Sequence, residues 1–188
     1  MAAPVIVVGV SRSGTTLLRV LLGAGPDLAA PPETPWITGA YGPNSLRQLV
    51  EALTTHETGP VANLSGITEA HLVSGARAFA DTILSAYAAA RGKPRVLLKT
   101  PKDIPHLAFL ARVFPDAHFV HIVRDGRDVA LSTVARRDVR DLGPHGALTF
   151  DNALRRWIEW EDLVRGLVAD GTLRLACRVR YEDRKSVV

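Results

Sequence analysis

Val5-Ile6-Val7-Val8-Gly9-Val10-Ser11-Arg12-Ser13-Gly14-Thr15-Thr16-Leu17-Leu18 is the stretch whose reading decides the fold. Four β-branched residues in succession, with no polar alternation, read as a strand buried on both faces, the kind found in parallel sheets. Leucines at 17, 18, 21 and 22 mark one apolar face of a helix over Thr15–Leu22. Outward from this unit the alternation repeats. Strands are expected at Arg95–Lys99, His118–Val123 and Leu173–Val179. Helices are expected at Leu46–Leu53, Thr68–Ala90, Asp103–Phe114, Gly126–Arg137 and Asp151–Val168, with Asp103 and Asp151 as N-caps. Residues 23–43, rich in proline and glycine, read as one long irregular segment, and Arg140–Gly146 as a loop. Strands alternating with helices imply an α/β fold, a parallel sheet covered on both faces in three layers. Ligands of such sheets bind beyond the carboxyl ends of the strands.

The first strand end, Gly9 to Thr16, has the glycine spacing of a phosphate loop of the form G-x-x-x-x-G-K-[ST], with Thr16 in the Ser/Thr place and Thr15 where the lysine belongs. The topology is therefore P-loop-like. Loop and first-turn amides converge on one spot, and the helix dipole adds partial positive charge there. Ser13, Thr15 and Thr16 bring hydroxyls and Arg12 a cation. Without the lysine that reaches the outer phosphates of a triphosphate, the loop suits a shorter phosphate chain rather than ATP or GTP. The third strand runs into Arg124-Asp125-Gly126-Arg127-Asp128-Val129-Ala130-Leu131-Ser132. A guanidinium at the strand end and a hydroxyl about two helical turns on form a clamp for a second phosphate. The competing reading of Arg124, Asp125, Arg127 and Asp128 is a solvated cluster of i,i+3 pairs.

The chain has 188 residues, enough for one domain over residues 1–188 with its own core. Lys and Arg total 23 against 19 Asp and Glu, a net +4 that favours an anionic ligand mildly. Aromatic residues are 6% of the chain, without the array that stacks nucleic-acid bases, so no nucleic-acid partner is expected. No apolar run reaches the ~18 residues of a membrane span, and the start lacks a charged signal region, which points to a cytoplasmic protein. A lone cysteine, Cys177, excludes an internal disulfide and a Cys-only zinc site. The six histidines show no metal-ligand spacing. His118 and His121 fall on opposite faces of their strand, so no metal is expected.

Taken together, Ser11-Arg12-Ser13-Gly14-Thr15-Thr16-Leu17, Val123-Arg124-Asp125-Gly126-Arg127-Asp128-Val129-Ala130-Leu131-Ser132 and Val179-Arg180-Tyr181-Glu182-Asp183 resemble the motifs of sulfotransferases that use 3′-phosphoadenosine 5′-phosphosulfate (PAPS). The resemblance implies that Arg12, Ser13, Gly14, Thr15 and Thr16 hold the 5′-phosphate and sulfonate. It also implies that Arg124 and Ser132 hold the 3′-phosphate and that Tyr181 lies near adenine. Small-molecule members carry Lys-Thr-His after the second strand, with the histidine as base; here the text is Lys99-Thr100-Pro101, which removes that base. Pro31-Pro32-Glu33-Thr34 is instead similar to the Glu-Glu-Thr of bacterial, tyrosylprotein and carbohydrate members, and Glu33 becomes the candidate base. Catalysis would use Glu33, Lys99 and Arg12, moving a sulfonyl group to an acceptor hydroxyl or amine whose identity the variable segments 23–66 and 140–150 would set. Family members continue past this third motif with further helices and a basic segment over the nucleotide. The sequence here closes at Arg184-Lys185-Ser186-Val187-Val188, so a C-terminally truncated domain is expected. Two alternatives stand beside this reading: a P-loop nucleotide kinase or other phosphotransferase, and a catalytically silent nucleotide-binding remnant.

Overall fold

The computed structural model describes residues 2–55, 66–136 and 149–183. Among these, five parallel strands form one sheet in the order β2-β3-β1-β4-β5: β1 (Val5–Val8), β2 (Leu28–Ala29), β3 (Arg95–Lys99), β4 (His118–Val123) and β5 (Leu175–Arg180). β1 is central and buried along its length, pairing with β3 from Val5 opposite Leu97 and with β4 from Val5 opposite His118. Its alternate residues feed two cores. Val5 and Val7, with Leu97 and Ile122, pack against Leu18 of α1 (Thr15–Ala24). Ile6 and Val8, with Val96, Leu98 and Phe119, face α4 (Glu69–Ala89), α5 (Leu107–Val113) and α7 (Phe150–Ala169). These are the three expected layers. The remaining helices are α2 (Pro35–Thr38), α3 (Leu46–Thr55) and α6 (Gly126–Arg136).

Several expectations need correcting. Residues 23–43 are not irregular throughout. Leu28–Ala29 adds an edge strand paired to Arg95–Val96, and Pro35 opens a single helical turn closed by Gly39, whose φ of 82° suits glycine. The expected helix over Asp103–Phe114 is split into a 3-10 stretch, Pro101–His106, and α5. Pro105 has no N–H to give to the carbonyl of Pro101, so an α-helical ladder cannot run through that turn. Asp103 is therefore no N-cap; it is buried inside the 3-10 turn. The cap of α7 is Thr149, whose hydroxyl accepts from the Asn152 amide at 3.2 Å, and Asp151 lies in the first turn. The last strand is shifted, to Leu175–Arg180, because Leu173 turns inward and gives its N–H to Leu167 O at 2.7 Å. Arg137 and the segment Arg140–Gly146 lie outside the described residues.

Candidate active site

The loop between β1 and α1 is wound tightly. Ser13 N–H donates to Val10 O at 3.0 Å, and Arg12 adopts a left-handed backbone at φ 75°. For a residue with a Cβ that conformation costs about 1–2 kcal/mol, so its surroundings must hold it. They do: Arg12 Nε donates to Ser132 Oγ of α6 at 3.0 Å, and Arg12 O accepts from Arg124 Nη1 at 3.1 Å. The chain enters α1 through Gly14 at φ 89°, which leaves the first-turn amides without intrahelical acceptors. Gly14 is required here for a second reason, since a Cβ would lie 2.6 Å from Tyr181 Cε2. Ser13 is fully buried and its Oγ has no partner, so it faces away from solvent, whereas Thr16 is exposed on the helix start.

On one side of the loop stand Glu33 and Lys99. Lys99 ends β3, is buried to 4% exposure, and donates from Nζ to Glu33 Oε1 at 2.5 Å and to Thr16 Oγ1 at 3.3 Å. The other carboxylate oxygen, Oε2, accepts from the Tyr41 hydroxyl. Burial alone would raise the Glu33 pKa; the hydrogen bonds from Lys99 and Tyr41, with the charges of Lys99 and Arg19, outweigh it and hold the group below its usual value. The Glu33 segment is pinned at several points. Arg19 Nη1 donates to Pro31 O at 2.9 Å, and Thr34 N–H donates to Thr100 Oγ1 at 3.1 Å. The Thr38 hydroxyl donates to Asp103 Oδ1. Asp103 is pushed up to about 7 by burial, opposed by the Thr38 and Thr100 hydrogen bonds and aided by the negative charge of Glu33.

On the other side stand Arg124 and Tyr181. Arg124 directly follows β4 and lies 4.5 Å over the Tyr181 ring, while Tyr181 N–H donates to Val123 O at 2.8 Å. The Arg124 Nε is buried without a partner among the described residues, and Asp128 meets its Nη2 at 3.4 Å. The surrounding charges pair at i,i+4 (Arg124–Asp128) and i,i+2 (Arg127–Asp125, 2.6 Å) rather than at the i,i+3 spacing of the surface-cluster reading. Ser132 bonds Arg12 rather than Arg124, so the two ends of the expected clamp meet through Arg12.

Two cavities flank the loop. One of about 520 Å³ is lined by Ser11, Arg12, Thr15, Thr16, Glu33 and Lys99, together with Tyr41 and Lys102. The other, about 430 Å³, is lined by Arg12, Gly14, Thr15, Thr16, Arg124 and Tyr181. Arg12, Thr15 and Thr16 line both, so the loop is their common wall. The structure thus gathers Arg12, Gly14, Thr15, Thr16, Glu33, Lys99, Arg124 and Tyr181 around one loop, with Ser132 behind it.

The chain matches the sulfotransferase family over residues 4–184, nearly its whole length. It belongs to that family. Among relatives of this sulfotransferase-family chain, nodulation protein NoeE of Sinorhizobium fredii is 35% identical over 127 residues, covering 66% of this chain and 29% of that protein. Protein-tyrosine sulfotransferase 1 of Mus musculus is 34% identical over 133 residues, covering 69% of this chain and 33% of that protein. The chain thus spans about a third of the length of these relatives. A solved sulfotransferase domain from the curacin biosynthetic pathway superposes with a TM-score of 0.61 at 20% identity, over 97% of this chain and 68% of that one, which supports the sulfotransferase fold. No helix of the described residues is long and apolar enough to cross a membrane, and among them no group of three or more His, Cys, Asp or Glu could hold a metal ion.

Sequence reasoning missed Tyr41, the Thr38–Asp103 contact and Lys102, whose ammonium lies 5.0 Å from the Tyr41 ring centroid. The aromatic residue in a Gly/Pro-rich stretch was the available signal for Tyr41. Nothing in the sequence ties residue 38 to residue 103.

Proposed function

We propose that this chain moves a sulfonyl group from PAPS to an acceptor hydroxyl or amine. The observation that carries the reading is the shared wall: a single phosphate loop borders a cavity with Arg124 and Tyr181 on one side and a cavity with Glu33 and Lys99 on the other. A nucleotide bisphosphate fits the first side. Its 5′-phosphate would meet the free amides at the start of α1, and its 3′-phosphate the Arg124 guanidinium, whose Nε is buried without a partner. Tyr181, stacked under Arg124, offers a ring face to the base.

The second side suits the acceptor. Its oxygen or nitrogen attacks sulfur, the bond from sulfur to the bridging phosphate oxygen breaks, and adenosine 3′,5′-bisphosphate leaves. Glu33 takes the acceptor proton. Lys99 neutralises Glu33. A donor rich in negative charge beside Thr16 would compete for the Lys99 ammonium and raise the proton affinity of Glu33, because nearby anions favour the protonated carboxyl. Lys99 and Arg12 then answer the charge that grows on the leaving oxygen. The phosphotransferase alternative is disfavoured because Thr15 occupies the lysine position of the loop.

Titration calorimetry tests this directly. Adenosine 3′,5′-bisphosphate binds and ATP with magnesium is not turned over. Magnesium-dependent ATP hydrolysis, with no heat from the bisphosphate, would replace the reading with the phosphotransferase one.

A further inference from the structure

The acceptor side of the loop already holds a hydroxyl. Ser11, Thr15, Thr16 and Tyr41 all line the 520 Å³ cavity, but Tyr41 is the one whose hydroxyl is bonded to the Glu33 carboxylate. Lys99 takes Oε1, so Oε2 is the oxygen left to receive an acceptor's proton, and it is the one that Tyr41 occupies. Lys99 also reaches Thr16 at 3.3 Å, so a single ammonium spans the gap between the base and the loop that would carry the sulfonate.

Tyr41 is suited to react by its chemistry as well as its place. A phenol ionises near pH ~10, far more readily than the alkyl hydroxyls around it. Lys102 holds its ammonium 5.0 Å from the ring centroid, so a cation lies beside the phenol. The ring is 46% exposed and sits between Gly39, at φ 82°, and Asn44, at φ 72°. It is therefore not locked into the core.

We propose that Tyr41 is an acceptor in its own right, so that the donor-bound chain sulfonates its own tyrosine. The phenol oxygen forms a bond to sulfur, the bond from sulfur to the bridging phosphate oxygen breaks, the phenol proton passes to Glu33 Oε2, and adenosine 3′,5′-bisphosphate departs. The products are Tyr41 O-sulfate and the bisphosphate, with nothing oxidised or reduced. The inference rests on the transfer reading above. It adds that Tyr41 competes with any external acceptor for Glu33.

The test incubates the full chain with sulfur-labelled PAPS, without added acceptor, and follows the tryptic peptide 20–47 by mass spectrometry. Tyr41 is the sole phenol in that peptide. The expected result is one sulfonyl group on Tyr41 with one bisphosphate released for each, at a fractional rate independent of protein concentration. Tyr41→Phe leaves the peptide unmodified, and Glu33→Gln slows modification by about 100-fold or more, the ordinary yield of a positioned general base. Bisphosphate titration of the same three proteins shows that each is folded and holds nucleotide. A wild-type chain that binds the bisphosphate and turns over PAPS, yet leaves peptide 20–47 unmodified, overturns the inference while sparing the transfer reading. Modification at an undiminished rate in Glu33→Gln, or at a fractional rate rising with protein concentration, overturns it as well. A chain that binds no bisphosphate removes the transfer reading and this inference together.

Discussion

On the Glu33 side of the Arg12–Thr16 loop the cation is already answered: Lys99 is buried and bonded to a carboxylate at 2.5 Å, and a phenol takes the carboxylate's other oxygen. On the Arg124 side the guanidinium is held by a backbone carbonyl and a ring face, meets Asp128 at 3.4 Å, and keeps one buried N–H without a partner. The first side pairs both carboxylate oxygens and is suited to moving a proton. The second is left with positive charge to spare and suited to holding an anion. In the proposed reading, binding and chemistry fall at the ends of separate strands, β4 and β3, with the loop at the end of β1 as their common wall. Mutations should therefore separate them.

The largest expected separation is at Glu33. Glu33→Gln should lower sulfonyl transfer by about 100-fold or more while leaving bisphosphate affinity within about twofold, as transfer assay and calorimetry on one preparation would show. Loss of both together would mean that the two sides are not separable. Arg124→Ala should do the reverse. It weakens bisphosphate binding by about 2 kcal/mol, roughly 30-fold, because a charge-assisted hydrogen bond to phosphate is lost. An unchanged affinity would remove Arg124 from the nucleotide side.

A third prediction concerns the platform beneath Glu33. Asp103 is raised from 3.8 to about 7, so the folded chain keeps a proton that the unfolded chain releases. Its contribution to stability is therefore full below pH 3.8 and is lost as pH rises toward 7. Asp103→Asn removes that slope, so the variant's stability relative to wild type should rise across this window in denaturant titrations. A pH-independent difference would show that Asp103 does not titrate there. The smallest effect is expected at Tyr41. Tyr41→Phe deletes one of the hydrogen bonds that lower Glu33, so its carboxyl resonance should titrate at a higher pH than in the wild type. A downward shift would show that the phenol does not act on Glu33.

The loop was legible in the sequence because its requirements are contiguous: a buried apolar run, two glycines at fixed spacing and a helix start. Arg124 could be placed because it follows a strand with a clear apolar pattern, whereas Tyr181 was implied by resemblance, after a strand whose bounds the sequence missed. The separate roles of Glu33 and Lys99 were implied by resemblance, and the fold pairs them through β3 and the segment after β2. That segment was illegible: a two-residue strand has no periodicity to read, and the Arg19–Pro31 and Thr34–Thr100 hydrogen bonds that fix it join residues far apart in sequence. A separation of 65 residues likewise hid the Thr38–Asp103 contact. Ser132 was assigned to Arg124 from helical spacing, but spacing could not show that Arg12, in its left-handed conformation, takes the serine hydroxyl first.

The division of labour across the loop is tested most directly by a crystal structure with adenosine 3′,5′-bisphosphate. Density is expected with the 5′-phosphate on the amides of residues 14–16, the 3′-phosphate against Arg124, and the Glu33–Lys99 cavity left open beside them. A nucleotide bound with its 5′-phosphate away from the loop, or lying in the Glu33 cavity, would contradict it.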